Sequence, residues 1–144
     1  MNDKKLVFVV DDDESMNYAL TRHLTNRGFE VKALGNGFEV LLMCLYLKPD
    51  LIVSDIRMPK LDGVTLLEGL SNSIETRDIP VIFMSAYPTG EVMEKAKTLG
   101  AKYFLIKPFP LEYLDDMIER VMSLESRSQN RAGAEPGPAD RWTG

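Results

Sequence analysis

Five short apolar runs, at residues 5–10, 29–33, 51–54, 80–84 and 103–106, alternate with stretches of helical spacing, and this rhythm leaves few architectures open. The four clearest are near-continuous Val, Ile, Leu and Phe, the pattern of strands covered on both faces. Between and after them the spacing predicts helices. The first spans roughly 14–27 and ends at Gly28, and the second spans 37–47 and stops before Pro49. The third spans 63–72 after Asp62-Gly63, and the fourth spans 89–99 and ends at Gly100. A last helix runs from about Pro110 to 125, its apolar face marked by Leu111, Leu114, Met117, Ile118 and Val121. Strand and helix thus alternate five times, which implies an α/β fold: a doubly wound, five-stranded parallel sheet with helices on both faces and right-handed crossovers.

A chain of 144 residues, 44% of them hydrophobic, suffices for one domain with a real core. That domain is expected over 1–125. From Ser126 the sequence runs through Ala132-Gly133-Ala134-Glu135-Pro136-Gly137-Pro138 with almost nothing to bury, so 126–144 reads as a flexible tail or interdomain linker. Trp142 is its one large apolar residue.

Several classes of function are disfavoured. A net charge of −5 argues against direct nucleic-acid binding or an anionic-membrane footprint. No apolar run reaches the length of a membrane span, and the N-terminus shows no signal-peptide pattern. The single cysteine, Cys44, cannot form an internal disulfide, which favours a cytoplasmic setting. It lies among Val40, Leu41, Leu42, Met43 and Leu45 and is expected in the core.

In doubly wound sheets, ligands bind beyond the carboxyl ends of the strands, near the point where strand order reverses. Asp11-Asp12-Asp13, Asp55, Ser85 and Lys107 all fall at such ends. Asp55 is followed by Met58-Pro59 and Asp62-Gly63, residues that give a loop a set shape. Two carboxylates about 4 Å apart repel by about 4 kcal/mol at an effective dielectric near 20, and a divalent cation removes that penalty. Carboxylate oxygens and water suit Mg²⁺. Asp13 is the candidate N-cap of the first helix, which leaves Asp11 and Asp12 for the metal. Asp55 is then positioned as a nucleophile toward a phosphoryl group. Lys107 supplies a positive charge to the same phosphate, and Ser85 a hydroxyl hydrogen bond. His23, without a helical-bundle context, is expected to be an ordinary helix residue.

Val9-Val10-Asp11-Asp12, the segment Asp55 to Gly63, Met84-Ser85-Ala86 and Gly100-Ala101-Lys102-Tyr103-Phe104-Leu105-Ile106-Lys107-Pro108-Phe109 stand in order. Together they make residues 5–125 resemble the receiver domain of the response-regulator family of two-component signalling. The resemblance implies a flavodoxin-like strand order 2-1-3-4-5, with Asp55 as the phospho-acceptor. It implies that Asp12, Asp55 and the backbone carbonyl of Arg57 bind Mg²⁺ directly, and that Asp11 acts through water. Lys107 is implied to pair with the phosphate, across a bond to Pro108 that is often cis in this family. Ser85 and Phe104 resemble the switch pair, with serine where threonine is commoner and phenylalanine where tyrosine is frequent. Tyr87 is expected, with Arg57, to flank the phosphate.

The implied partners are a sensor histidine kinase or phosphotransfer protein, with a homodimer or downstream effector docking on the helix-4, strand-5, helix-5 face. That face is expected to carry Glu91, Glu94, Lys95, Lys102, Glu112, Asp115 and Glu119. The implied role is a signalling switch that catalyses only its own phosphorylation and dephosphorylation. No output domain follows residue 125, so the chain is expected to be a stand-alone receiver, a relay intermediate or part of a longer regulator. Two alternatives compete with this role. One is a haloacid-dehalogenase-type phosphatase with Asp11 as nucleophile and Asp13 as acid, which leaves Asp55 without a role. The other is a docking module independent of phosphorylation.

Overall fold

Each apolar run forms a strand: β1 (Leu6–Val10), β2 (Glu30–Leu34), β3 (Leu51–Asp55), β4 (Val81–Ser85) and β5 (Tyr103–Ile106). The computed structural model describes residues 4–87 and 89–130, with side chains to residue 123. All pairings are parallel and the order is β2-β1-β3-β4-β5, the flavodoxin-like order expected. Strand order reverses between β1 and β3, so a crevice opens where Asp11 leaves β1 and Asp55 ends β3.

Side chains alternate across the sheet and feed two cores. Val7, Val9, Leu51, Val53, Ile82, Met84, Tyr103 and Leu105 pack with Leu20 and Leu24 of α1 (Glu14–Asn26) and with Leu114 and Ile118 of α5 (Leu111–Asn130). Phe8, Val10, Ile52, Val81, Phe83 and Phe104 pack on the other face, toward α2 (Gly37–Met43), α3 (Gly63–Ser71) and α4 (Gly90–Thr98). Tyr103 and Phe104 therefore belong to opposite cores, as neighbours on a strand must.

Four helices begin on a side-chain cap. Asp13 accepts from the N–H groups of Ser15 and Met16, Asn36 from Glu39, Asp62 from Thr65 and Thr89 from Val92. The expected cap at Asp13 is thus present. Gly28 and Gly100 follow α1 and α4 with φ of +97° and +99°, the left-handed geometry that glycine adopts most readily.

Two helix ends differ from expectation. The second helix was expected to reach residue 47 and stops at Met43. Beyond it Leu45 and Tyr46 donate to Leu42 and Met43, bonds of the tighter 3₁₀ kind that end a helix ahead of Pro49. The last helix was expected to stop near 125 and continues to Asn130, with no Gly or Pro between 111 and 130 to break it. The boundary expected at residue 126 therefore falls inside α5, and the rest of the expected tail, with Trp142, lies outside the described residues. Cys44 is partly buried against the core, and burial raises its thiol pKa.

Candidate functional site

Register brings the charged residues together. Val10 lies opposite Ser54 and Asp55 opposite Met84, so Asp11, one residue past Val10, stands beside Asp55. Ser85 lies opposite Ile106, which places Lys107 just beyond the end of β4. Its backbone N–H donates to the Ser85 carbonyl at 2.9 Å, and the Lys107–Pro108 bond is cis.

Asp11, Asp55 and Lys107 continue the alternation of one sheet face. Lys107 Nζ donates to Asp11 Oδ2 at 2.7 Å and to Asp55 Oδ2 at 3.2 Å. Asp12 is exposed, yet one carboxylate oxygen each from Asp11, Asp12 and Asp55 lies within 4.8 Å of the others. Three carboxylates against one ammonium leave an excess of two negative charges in a partly buried crevice. The donor set, all hard oxygens with one exposed member, fits a small divalent cation of the Mg²⁺ kind.

The ionisable groups respond to this crowding. Burial pushes the Asp55 carboxyl above its usual range, Lys107 pulls against that shift, and Asp11 adds to it. For Lys107, burial acts downward, but the hydrogen bond and charge of Asp11, followed by those of Asp55, outweigh it and the net direction is up. The two directions agree once Asp11 is seen as the stronger partner of the lysine. Asp11 is 1% exposed and also accepts from the Asp13 N–H at 3.0 Å, so the phosphatase nucleophile considered from sequence is a buried carboxylate already engaged twice.

The loop after β3 is held close. The Arg57 N–H reaches Asp55 Oδ1 at 3.3 Å, Gly63 N–H donates to the Ile56 carbonyl at 2.8 Å, and Gly37 N–H donates to the Leu61 carbonyl at 3.2 Å. A Cβ on Gly63 would meet Phe83 Cε1 at 2.8 Å, Ile56 Cα at 2.9 Å and the Asp55 carbonyl at 3.0 Å. Glycine is required there by space, as the Asp-Gly signal suggested. Lys60 takes a φ of +69° at the loop's tip.

Ser85 and Phe104 stand apart from the charged group. By alternation they share the opposite sheet face, both buried, and the Ser85 hydroxyl accepts from the Tyr87 N–H at 3.2 Å. Phe104 is packed inward in the core beneath α4. The Tyr87 ring is largely exposed.

One positioning residue escaped the sequence. Asn17, buried on α1, donates from Nδ2 to the carbonyls of Asp11 and Leu34, both at 2.9 Å, and so fixes the chain leaving β1. Its only signal was spacing, since 17, 20 and 24 form the buried stripe of α1. Asp115 corrects an expectation. It faces α1 and not the helix-4, strand-5, helix-5 surface, receiving His23 Nε2 at 2.8 Å and Arg27 Nε at 3.3 Å. His23 is thus a helix residue with a structural contact to α5.

The family model for the response regulator receiver domain matches residues 7–119. The chain belongs to the response-regulator receiver family. Among curated relatives, this receiver is 36% identical to the regulatory protein AtoC of Escherichia coli (strain K12), over 83% of this chain and 26% of that protein. It is 36% identical to the DNA-binding transcriptional regulator NtrC of Salmonella typhimurium, over 82% and 25% respectively. The chain thus spans about a quarter of the length of these relatives. Solved receivers superpose along nearly their whole length. The chemotaxis response regulator CheY4 of Vibrio cholerae does so with a TM-score of 0.76 at 27% identity, covering 82% of this chain and 98% of its own. The Francisella response regulator 1452 receiver domain gives 0.73 at 30% identity, covering 87% and 99%. Among the described residues, no helix is long and apolar enough to cross a membrane.

Proposed function

We propose that Asp55 accepts a phosphoryl group from a phosphohistidine of a sensor kinase or relay protein, in the cytoplasm, and that the domain acts as a switch and not as a turnover enzyme. The observation that supports this most is the Lys107 ammonium bridging Asp11 and Asp55 at the β1/β3 crevice. A carboxylate oxygen of Asp55 attacks phosphorus in line, a P–O bond forms, and the P–N bond to the donor imidazole breaks with its electron pair leaving on the imidazole. Lys107, already 3.2 Å from the acceptor carboxylate, exchanges one oxyanion partner for another as charge moves onto the phosphoryl oxygens. Asp12, Asp55 and the Arg57 carbonyl would hold Mg²⁺, with Asp11 acting through water. When bound, the ion supplies the positive charge that three carboxylates lack and that the transferring oxygens need.

Ser85 and Phe104 carry the response. The hydroxyl turns from the Tyr87 N–H toward the new phosphate, and the Phe104 ring moves into the space it leaves. One charge-assisted hydrogen bond supplies roughly 1.5–3 kcal/mol, whereas moving a population from 1:99 to 99:1 needs about 5.5 kcal/mol. Ser85 therefore acts together with Lys107 and the metal. Phe104 is already buried, and with no phenol its ring shifts within the core leaving no polar group unsatisfied. The face of α4, β5 and α5, without Asp115, is the surface offered to an effector.

Intact-protein mass after incubation with a small acyl-phosphate donor tests this. The expected result is a gain of one phosphoryl group that requires Mg²⁺ and is lost in Asp55→Asn. A gain that survives Asp55→Asn and vanishes in Asp11→Asn contradicts it.

A further inference from the structure

The outer face of α2 carries an apolar stripe that the described residues leave exposed. Phe38, Leu42, Leu45 and Tyr46 recur at helical spacing along α2 and its closing turns, and they are 57%, 50%, 72% and 79% exposed. The opposite face is already in use. Val40 is buried, Leu41, Met43 and Cys44 pack on the core, and Leu41 closes against α3 so tightly that a Cβ on Gly69 would meet it at 3.3 Å. No charged residue occurs from Val40 to Leu47. Apart from Glu39, α2 is apolar on both faces, a pattern that goes with burial, yet among the described residues it packs on one side only.

We propose that this face is the contact between two copies of the chain, packed about a two-fold axis with their α2 helices antiparallel. The size is appropriate. At about 150–250 Å² for an aromatic side chain and somewhat less for leucine, the exposed parts of the four residues sum to about 500 Å². That is near the upper limit of the largest patch on a typical monomer, about 300–600 Å². It is more than half of the roughly 800 Å² each partner buries in a standard interface.

Charge fits the same arrangement. Exposed Glu39, whose carboxylate already accepts from the Gly35 N–H at 3.1 Å and from Asn36 Nδ2 at 3.2 Å, lies at one end of the stripe and exposed Lys48 at the other. Antiparallel pairing sets the acidic end of each copy near the basic end of the second, twice, by proximity of charge and not by a new hydrogen bond. Isologous contact of this kind closes at two subunits. The neighbouring edge strand β2 is a poor alternative, since exposed Glu30 and Lys32 oppose strand addition. The contact uses no residue of the Asp55 cluster, and it forms in the unphosphorylated protein.

Sedimentation equilibrium of the whole chain over a wide dilution series, without phosphoryl donor, tests the proposal. Dimer is expected, with dissociation at least about tenfold easier in Leu45→Glu, because the contact would bury an unpaired carboxylate. Leu45 is exposed, so that variant should give the circular dichroism spectrum of the wild type. In a Cys44→Ser background, Leu42→Cys, near the two-fold axis, should cross-link on oxidation and Tyr113→Cys on α5 should not. Monomer at every concentration, a dimer indifferent to Leu45→Glu, or cross-linking through Tyr113→Cys and not Leu42→Cys would overturn it.

Discussion

Asp55 and Lys107 pull on one another unequally, and the imbalance has a pH signature. Burial dominates at Asp55 and raises its pKa, so the folded protein binds a proton there more readily than the unfolded chain does. By linkage, ionising Asp55 opposes folding. The stability associated with its proton is complete below the unfolded carboxylate range and is lost as pH rises through the folded value. Asp55→Asn should therefore be more stable than wild type at neutral pH in the absence of Mg²⁺, with the gap narrowing in acid. Urea midpoints across that range check the sign. A variant less stable than wild type at neutral pH would show that the Lys107 contact outweighs burial. The raised pKa of Lys107 acts at the other end of the scale, with stability present at neutral pH and lost under strongly alkaline conditions.

At the scale of elements, the loops that hold the site are as constrained as its charges. Gly63→Ala drives a methyl group into Phe83 and the backbone at Asp55 and Ile56. It should lower stability by about 1–3 kcal/mol and slow phosphoryl transfer, measured by denaturation and by intact mass. Asp13 and Asp12 should separate by role. Asp13→Ala loses the α1 cap at a cost of about 1 kcal/mol with little change in Mg²⁺ affinity, whereas Asp12→Ala weakens Mg²⁺ binding and barely changes stability. Calorimetric titration beside thermal melting distinguishes them.

The strands were legible because β1, β3 and β4, covered on both faces, are runs of apolar residues, and the functional side chains sit where those runs stop. Elements governed by contacts were harder to read. No local signal marks where α2 tightens into turns, nor that Asp115 faces α1, since mixed charge along α5 looks alike on every side. The doubly engaged Asp11 and the brace from Asn17 depend on register between strands distant in sequence.

For the whole molecule, a cluster of three carboxylates at the sheet's reversal point would couple any metal bound there to folding. If Mg²⁺ binds the native crevice and not the unfolded chain, its effect follows mass action, about 2.7 kcal/mol at a hundredfold excess over Kd. The thermal midpoint should rise by several degrees on adding Mg²⁺, and the rise should be abolished in Asp12→Ala and diminished in Asp55→Asn. An equal shift in all three proteins would place the ion elsewhere. The proposed α2 contact is a separate matter, on the side of the sheet away from α1 and α5 and sharing no residue with the carboxylate cluster.

If phosphoryl transfer ends on Asp55, the modified residue can be located chemically. Protein treated with a small acyl-phosphate donor and Mg²⁺, then reduced with borohydride to convert the acyl phosphate to an alcohol, can be digested and sequenced by mass spectrometry. The reduced residue should be found at position 55 alone. Reduction at Asp11 or Asp12, with Asp55 intact, would rule Asp55 out as the phospho-acceptor.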